Sequence, residues 1–383
     1  GRQPGWRPAG AVGRFELPRM NTVRTQPIGC PAARGSQRGF TMVELMVALL
    51  LGLVLIGGVI NVFLTSGQTL RVNQNLSRVH ENARFGIEMF SREIREAGMV
   101  PCGSTLSANV LRTGSAPAWT VPWWASTYDG MVRGFDDGQD STAIKGFGAS
   151  TADRVGGTDA LLILRPSSDE ADLRRLASHD AAAYSFKDAA GITAAVKSRY
   201  DSRPALVCDG KSAALLQIGA ASVSLSEYDY STGTYNCSKN LGSADAACAT
   251  TTPRTFDAGA QLTRWDPAFW YIGHNARGTK SLYRVGIKLN SSTGVVENDV
   301  QEMVPDVENM QIDYLTRDRD TGNVLATDWV AASAFTSGWT STTAEVVAAR
   351  VKLTLRSTEA VGEGNVPLTR TFVILGSIRN REI

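Results

Sequence analysis

The sequence predicts an α+β protein. One long N-terminal helix, transmembrane in its first half, packs by its second half on an antiparallel β-sheet head with long loops. Three observations carry this expectation. Phe40 to Leu64 is a 25-residue apolar run that holds one charge, Glu44. A helical stripe of apolar residues continues directly beyond it. Several short segments after residue 159 are apolar or alternate apolar with polar side chains, as half-buried strands do.

The apolar run has the roughly 20 residues needed to cross a bilayer and exceeds the roughly 7–15 of a cleaved secretory core. Before it lies a basic leader. Residues 1–39 hold seven arginines and one acid, Glu16, so the other 344 residues hold 32 basic and 36 acidic side chains. The leader is rich in Gly, Pro and Arg, without apolar periodicity, and is expected to be unstructured. The chain opens on Gly1, and Met20 is a candidate start. By the positive-inside tendency the leader stays cytoplasmic and everything after Leu64 is exported. That gives a single-pass, N-in and C-out inner-membrane protein with a periplasmic head.

Past the span, Leu76, Val79, Ala83, Ile87, Phe90, Ile94 and Ala97 recur at steps of three and four. Arg84, Glu88, Arg92 and Glu96 alternate in sign at i,i+4 on another face. Gly98 and Pro101 are a stop signal, so one helix is expected from about Phe40 to Ala97, with a domain boundary at 98. In the head, strands are expected over Asp159–Arg165, Ala214–Leu225, Ala268–Ile272, Ser281–Lys288, Met310–Tyr314, Val351–Leu355 and Thr371–Leu375. The third and fourth form a hairpin across HNARGT. Residues 141–158, 231–255 and 331–344 read as loops.

Glu44 is the anomaly, because a charge inside an apolar helix is costly. Either it is a boundary carboxylate that snorkels, or it awaits a positive partner. Just before it stand Gln37-Arg38-Gly39, then Phe40-Thr41-Met42-Val43-Glu44-Leu45. A basic residue, Gly, and Phe-Thr-x-x-Glu-Leu opening a long apolar helix resemble the signal of type IV prepilins. That resemblance implies cleavage by prepilin peptidase between Gly39 and Phe40 and N-methylation of Phe40. It also implies an assembly role for Glu44, whose carboxylate pairs with the Phe40 amine of an adjacent subunit. The helix carries Gly57, Gly58 and Asn61 where major pilins often have a proline.

Further along, Val304-Pro-Asp-Val-Glu-Asn-Met-Gln-Ile-Asp-Tyr314, the segment with Leu282-Tyr283-Arg284, the Val351 strand and the early GMVPCGS are similar to the PilW group of minor pilins. The likeness is strongest over 38–103 and 265–383, and the weakly patterned 104–264 reads as an insertion. The resemblance implies a type IV pilin-like fold. It implies a minor pilin that primes and takes part in type IV pilus assembly at the tip, with pilus biogenesis and twitching motility as outcome. Implied partners are prepilin peptidase, other minor pilins and the major pilin, an inner-membrane assembly platform and a tip-associated adhesin. The protein then ends in a pilus on the cell surface. The alternatives are a J-type minor pseudopilin of type II secretion, with overlapping motifs, and a membrane-anchored periplasmic enzyme or binding protein.

Cys30 lies in the leader. Cys102, Cys208, Cys237 and Cys248 remain, an even number in an oxidising compartment. Of three connectivities, Cys102–Cys208 with the short-loop Cys237–Cys248 is favoured. The three histidines are far apart in sequence, and no metal site or cofactor is expected. Asp318, Asp320 and Asn323, like Asp136, Asp137 and Asp140, are better explained as turns than as a calcium loop. Trp119, Trp123, Trp124 and Tyr128 are better explained as core filling than as a partner patch. No nucleophile, phosphate-loop or zinc motif is present, so no catalytic residue is assigned and no enzyme is expected. A net charge of +2 gives no reason to expect direct nucleic-acid binding.

Overall fold

The computed structural model describes residues 39–378, apart from 104–105, 116–117, 128–129, 220–226, 245–247, 249–250 and the single positions 291, 337 and 363. The leader, including Cys30 and Arg38, lies outside the described residues, as does Tyr128. Two compact units are present, one ending at Phe63 and one beginning at Leu64.

Helix α1 is a single 55-residue helix, Met42–Glu96. After it come β1 (Leu106–Asn109), β2 (Val132–Phe135), β3 (Ala160–Ile163), β4 (Leu173–Asp180), β5 (Ser185–Asp188), α2 (Ala194–Tyr200), β6 (Pro204–Cys208), β7 (Ala213–Gln217) and β8 (Glu227–Asp229). The chain continues through β9 (Ser243–Ala244), β10 (Thr251–Thr252), β11 (Gln261–Arg264), β12 (Ala268–His274), β13 (Lys280–Leu289) and β14 (Val296–Pro305). It ends with β15 (Val307–Asp318), β16 (Val324–Leu325), β17 (Glu345–Arg356) and β18 (Thr369–Ser377). The strand expected at Ala214–Leu225 is β7, which stops at Gln217; the rest of that stretch, from residue 220, lies outside the described residues.

These strands form a four-stranded sheet, β16-β15-β17-β18, a five-stranded sheet, β14-β13-β12-β3-β2, and a seven-stranded sheet, β1-β7-β6-β11-β4-β5-β8, with β9 and β10 as a separate pair. Pairing is antiparallel except between β1 and β7, which run parallel. The head is therefore antiparallel-rich rather than uniformly antiparallel. The expected hairpin is present, with Tyr271 opposite Tyr283 in β12 and β13.

Burial follows the layers. Val79, Ala83, Phe90, Ile94 and Ala97 of the helical stripe are buried, joined by Gly86, while Leu76 and Ile87 are half-buried. They share a core with Trp270, Leu282, Met310, Ile312, Val351, Leu353 and Ile374. The Phe90 and Trp270 rings lie 5.1 Å apart. Gly376 of β18 sits so close to the helix that a Cβ there would lie 2.7 Å from Ile94 Cγ2. The second half of α1 is thus part of the head's own core, within the compact unit that begins at Leu64.

The inner strands β3 and β12 of the five-stranded sheet are buried on both faces. Leu161, Trp270 and Ile272 point into the α1 core, while Leu162, Phe269, Tyr271 and Tyr283 meet Leu206, Cys208 and Leu215 of the inserted sheet in a second core. The opposite face of the inserted sheet (Ala205, Val207, Ala214, Leu216) closes a third core with Phe186, Tyr200, Tyr228, Tyr230 and Phe256. The region 104–264, weakly patterned in sequence, thus supplies β2 and β3 to the five-stranded sheet and adds a further layer with a core of its own. Within it His179 is enclosed by aromatic rings, accepts the Phe256 N–H at Nδ1 (3.1 Å) and lies 2.9 Å from the Tyr230 hydroxyl. Burial presses its pKa down to about 4, so the ring is neutral.

The Asp318 turn and two of the tryptophans, Trp123 and Trp124, fall as their residue types suggest, whereas Trp119 is half-buried outside the cores and the Asp136 carboxylate reaches a remote segment. The Asp318 carboxylate accepts from the N–H groups of Asp320 and Thr321 in the β15–β16 turn. Asp136 accepts from the N–H groups of Ala332 and Ser333. Among the described residues no cluster of His, Cys, Asp or Glu is grouped to hold a metal. Trp124 is buried in the second core and Trp123 packs at its edge. Two of the expected loops contain regular structure: β9 pairs with β10 inside 231–255, and a 3-10 turn spans Ala332–Ala334.

Candidate assembly site and the helix–head joint

The functional residues that the sequence singles out lie at the start of α1. Thr41 precedes the helix, and its Oγ1 accepts the Glu44 N–H at 3.2 Å while its carbonyl accepts the Leu45 N–H at 3.1 Å. This is one half of a capping box, Thr-x-x-Glu, satisfying N–H groups that a helix start otherwise leaves orphaned. The three-residue spacing is the signal that identifies Thr41 as a cap, a role that the charge argument about Glu44 does not reach. Glu44 sits in the first helical turn, where the helix dipole favours a carboxylate. Its carboxylate makes no ion pair among the described residues.

From Phe40 to Leu64 every residue is exposed except for the half-buried Gly52, and the most apolar window has a mean hydropathy of 2.7. Phe40 is 81% exposed. A continuous apolar surface of this length is not stable in water and needs lipid or other helices against it. Gly57 and Gly58 are helical, and the Asn61 side chain donates to the Gly57 carbonyl at 3.1 Å. The paired glycines therefore do not interrupt the helix here.

At its other end α1 is fastened by charge. Arg165, just past β3, donates to both carboxylate oxygens of Glu93, at 2.8 and 3.0 Å. It also lies 3.2 Å from a Glu96 oxygen and 3.2 Å from an Asp266 oxygen. The Arg165 and Glu93 side chains are only 6% and 9% exposed. Burial alone would lower the guanidinium pKa, but Glu93, Asp266 and Glu96 outweigh it and leave it raised. The alternating charges place Glu96 on an exposed ladder; in the structure it turns inward to Arg165 instead, and Arg92 and Glu88 pair on the surface, at 3.9 Å. Gly98 follows in a left-handed conformation, φ 68°, its N–H bonded to the Leu164 carbonyl at 3.0 Å.

The cysteines complete the joint. Cys102, just after the helix, is bridged to Cys208 at the end of β6, with Cα atoms 5.9 Å apart. Cys237 is bridged to Cys248. The first bridge ties the inserted sheet to the end of α1 across 106 residues of sequence.

A long apolar helix opened by a capped Thr-x-x-Glu, and continuous with a helix packed on a β-rich head, defines a pilin-like protein that is anchored in a membrane by that helix. Comparison with known families makes the class specific. Residues 269–377, from β12 to the end of β18, match the type IV pilus-assembly protein W family, and residues 34–60 match the prokaryotic N-terminal methylation motif. The chain thus carries a PilW-like segment and a prepilin-type signal, and the two together support a type IV pilus-related minor pilin. The inserted sheet lies outside both matches. No curated protein matches the chain.

Proposed function

We infer that this chain is a minor pilin that primes type IV pilus assembly from the filament tip and so supports pilus biogenesis and twitching. Its role is structural and not catalytic. The observation that carries this reading is the Glu44 carboxylate, which has no ion-pair partner among the described residues and is held one turn inside a capped, exposed apolar helix.

In this reading prepilin peptidase cuts after Gly39 and methylates the new amine of Phe40. The basic leader keeps that end cytoplasmic until the cut, with the head in the periplasm. Within the bundle, the Phe40 ammonium of one subunit meets Glu44 of its neighbour. A desolvated pair of this kind fixes register, because a slipped neighbour leaves a charge buried alone. The head, which extends from Leu64 to Ile383, is large for a subunit repeated along a shaft and suits a sparse tip position. Other minor pilins, the major pilin, the inner-membrane platform and a tip-associated adhesin are the neighbours expected there.

Glu44→Ala is expected to be cleaved and methylated like the parent chain, yet to be absent from sheared filaments by immunoblot, with few pili made. Normal incorporation of this variant would refute the register role.

A further inference from the structure

Where the inserted sheet meets the β13–β14 hairpin, Arg203, Arg264 and Lys288 line a small cleft of about 70 Å³. We propose that this cleft binds one tetrahedral phosphate group, as the free ion or as the head of a phosphomonoester. Arg203 and Arg264 lie outside both matched segments, and the pilus reading uses none of the three cations.

Regular structure sets all three in place. Arg203 directly precedes β6; its N–H donates to the Tyr200 carbonyl at 2.9 Å and its carbonyl accepts the Ile218 N–H at 3.0 Å. Arg264 ends β11, opposite Ala205 of β6. Lys288 stands in β13, next to its last residue.

Their charge is not balanced from within. The Arg203 guanidinium has no ion pair or hydrogen bond among the described residues, and its Nε is buried without a partner. Burial, and then the nearby Arg264, press its pKa down against the weaker pull of Asp172. Arg264 engages only through Nη2, at 3.0 Å from Asp172. Lys288 is exposed and has no ion pair among the described residues; Glu297, opposite it in the ladder, accepts instead from Asn290 Nδ2 at 2.7 Å. Asp266, the one carboxylate in the lining, has one oxygen at Arg165 and the other at Arg284. The rest of the wall is largely apolar. Trp265 is buried with its indole N–H given to the Trp124 carbonyl at 2.6 Å, and Ile287 and Val296 flank it. Cations of one sign against a wall of low dielectric focus a positive potential into the cleft.

A guanidinium fork matches the oxygens of phosphate or carboxylate in pairs, and an ammonium adds a point charge. A carboxylate has two oxygens and one charge to share among three cations. A phosphomonoester carries about 1.5–2 negative charges at pH 7 and three acceptor oxygens, one for each. The volume is far below the roughly 300–1,000 Å³ of drug-sized sites, so the cleft takes the phosphate group and not a nucleotide.

The test is calorimetric titration of the full chain, in a detergent without a phosphate head group, at pH 7 and low chloride. Inorganic phosphate and methyl phosphate are expected to bind with Kd of about 1 mM or below. Acetate is expected to bind about tenfold more weakly. Arg203→Met keeps the aliphatic stem and is expected to weaken phosphate binding about tenfold. Without phosphate its thermal midpoint should not fall, because the substitution removes an unpaired, desolvated cation. Lys288→Ala, on the surface, is expected to weaken binding about threefold, and it tests the idea even if Arg203→Met perturbs folding. Lys211→Ala, beyond the other end of β6, should leave binding unchanged. Tighter binding of methyl phosphate than of inorganic phosphate would identify a phosphomonoester as the occupant, and the reverse order the free ion. The proposal is overturned if neither phosphate binds, if acetate binds as tightly as they do, or if Arg203→Met and Lys288→Ala both bind phosphate like the parent.

Discussion

Arg165→Ala is expected to be the most damaging single substitution in the head. Arg165 is the hub of three carboxylates: Glu93 and Glu96 on α1, and Asp266 after β11. Removing it leaves Glu93 buried and uncompensated between the helix and the sheets, and such a loss costs about 3–5 kcal/mol. Asp266 keeps Arg284 at 2.9 Å, so the damage falls chiefly on the α1 side. Thermal unfolding of the full chain in detergent, followed by near-UV circular dichroism, is expected to shift down by on the order of 10 °C. The double variant Glu93→Met, Arg165→Met should recover much of the loss, because an apolar pair of similar volume replaces a buried ion pair at little net cost. An unchanged midpoint for Arg165→Ala would show that the cluster does not fasten the helix.

Opening the Cys102–Cys208 bridge is expected to have the second-largest effect. The loop it closes spans 106 residues, and chain entropy assigns about 4.7 kcal/mol to a bridge of that reach. Cys237–Cys248 closes only 11 and should matter less. Because Cys102 follows α1 and Cys208 ends β6, the double variant Cys102→Ser, Cys208→Ser should loosen the inserted sheet first. Limited proteolysis would then cut within 104–264 at protease levels that spare the parent chain, while the β12–β18 part persists. Equal resistance of the two chains would argue that the second core alone holds the inserted sheet.

What the sequence discloses depends on how each element is buried. Strands β15 and β17 present one face to the α1 core and the other outward, so Met310, Ile312 and Tyr314, and Val351, Leu353 and Leu355, alternate visibly with polar residues. Strands β3 and β12 are covered on both faces and show as unbroken apolar runs, ALLI and AFWYIGH, which give position but not facing. Strands β6 and β7 are equally buried, but β6 is a short run opened by Pro204 and has no alternation to mark it as a strand. Strand β14 is a sheet edge with mostly exposed polar side chains, and nothing in its pattern distinguishes it from a loop. The parallel β1–β7 pair joins Leu106 to Ala213, a relation no local pattern encodes.

The candidate assembly site was more legible than the fold around it, because its chemistry is local. Arg38, Gly39, Phe40 and Glu44 stand almost side by side in the chain, and the apolar run beside them is continuous. The joint was not legible: Glu93 and Arg165 are 72 residues apart, and the sign alternation puts Glu96 on the last rung of a surface ladder.

Assembly through Glu44 requires a Phe40 amine that exists only after cleavage. Mass spectrometry of the N-terminal peptide, from protein purified out of native membranes, tests this directly. The expected peptide begins at N-methylated Phe40, with Arg38 and Gly39 gone. An N-terminal peptide that retains Gly39 would contradict the pilin reading, because Glu44 would then have no amine to meet.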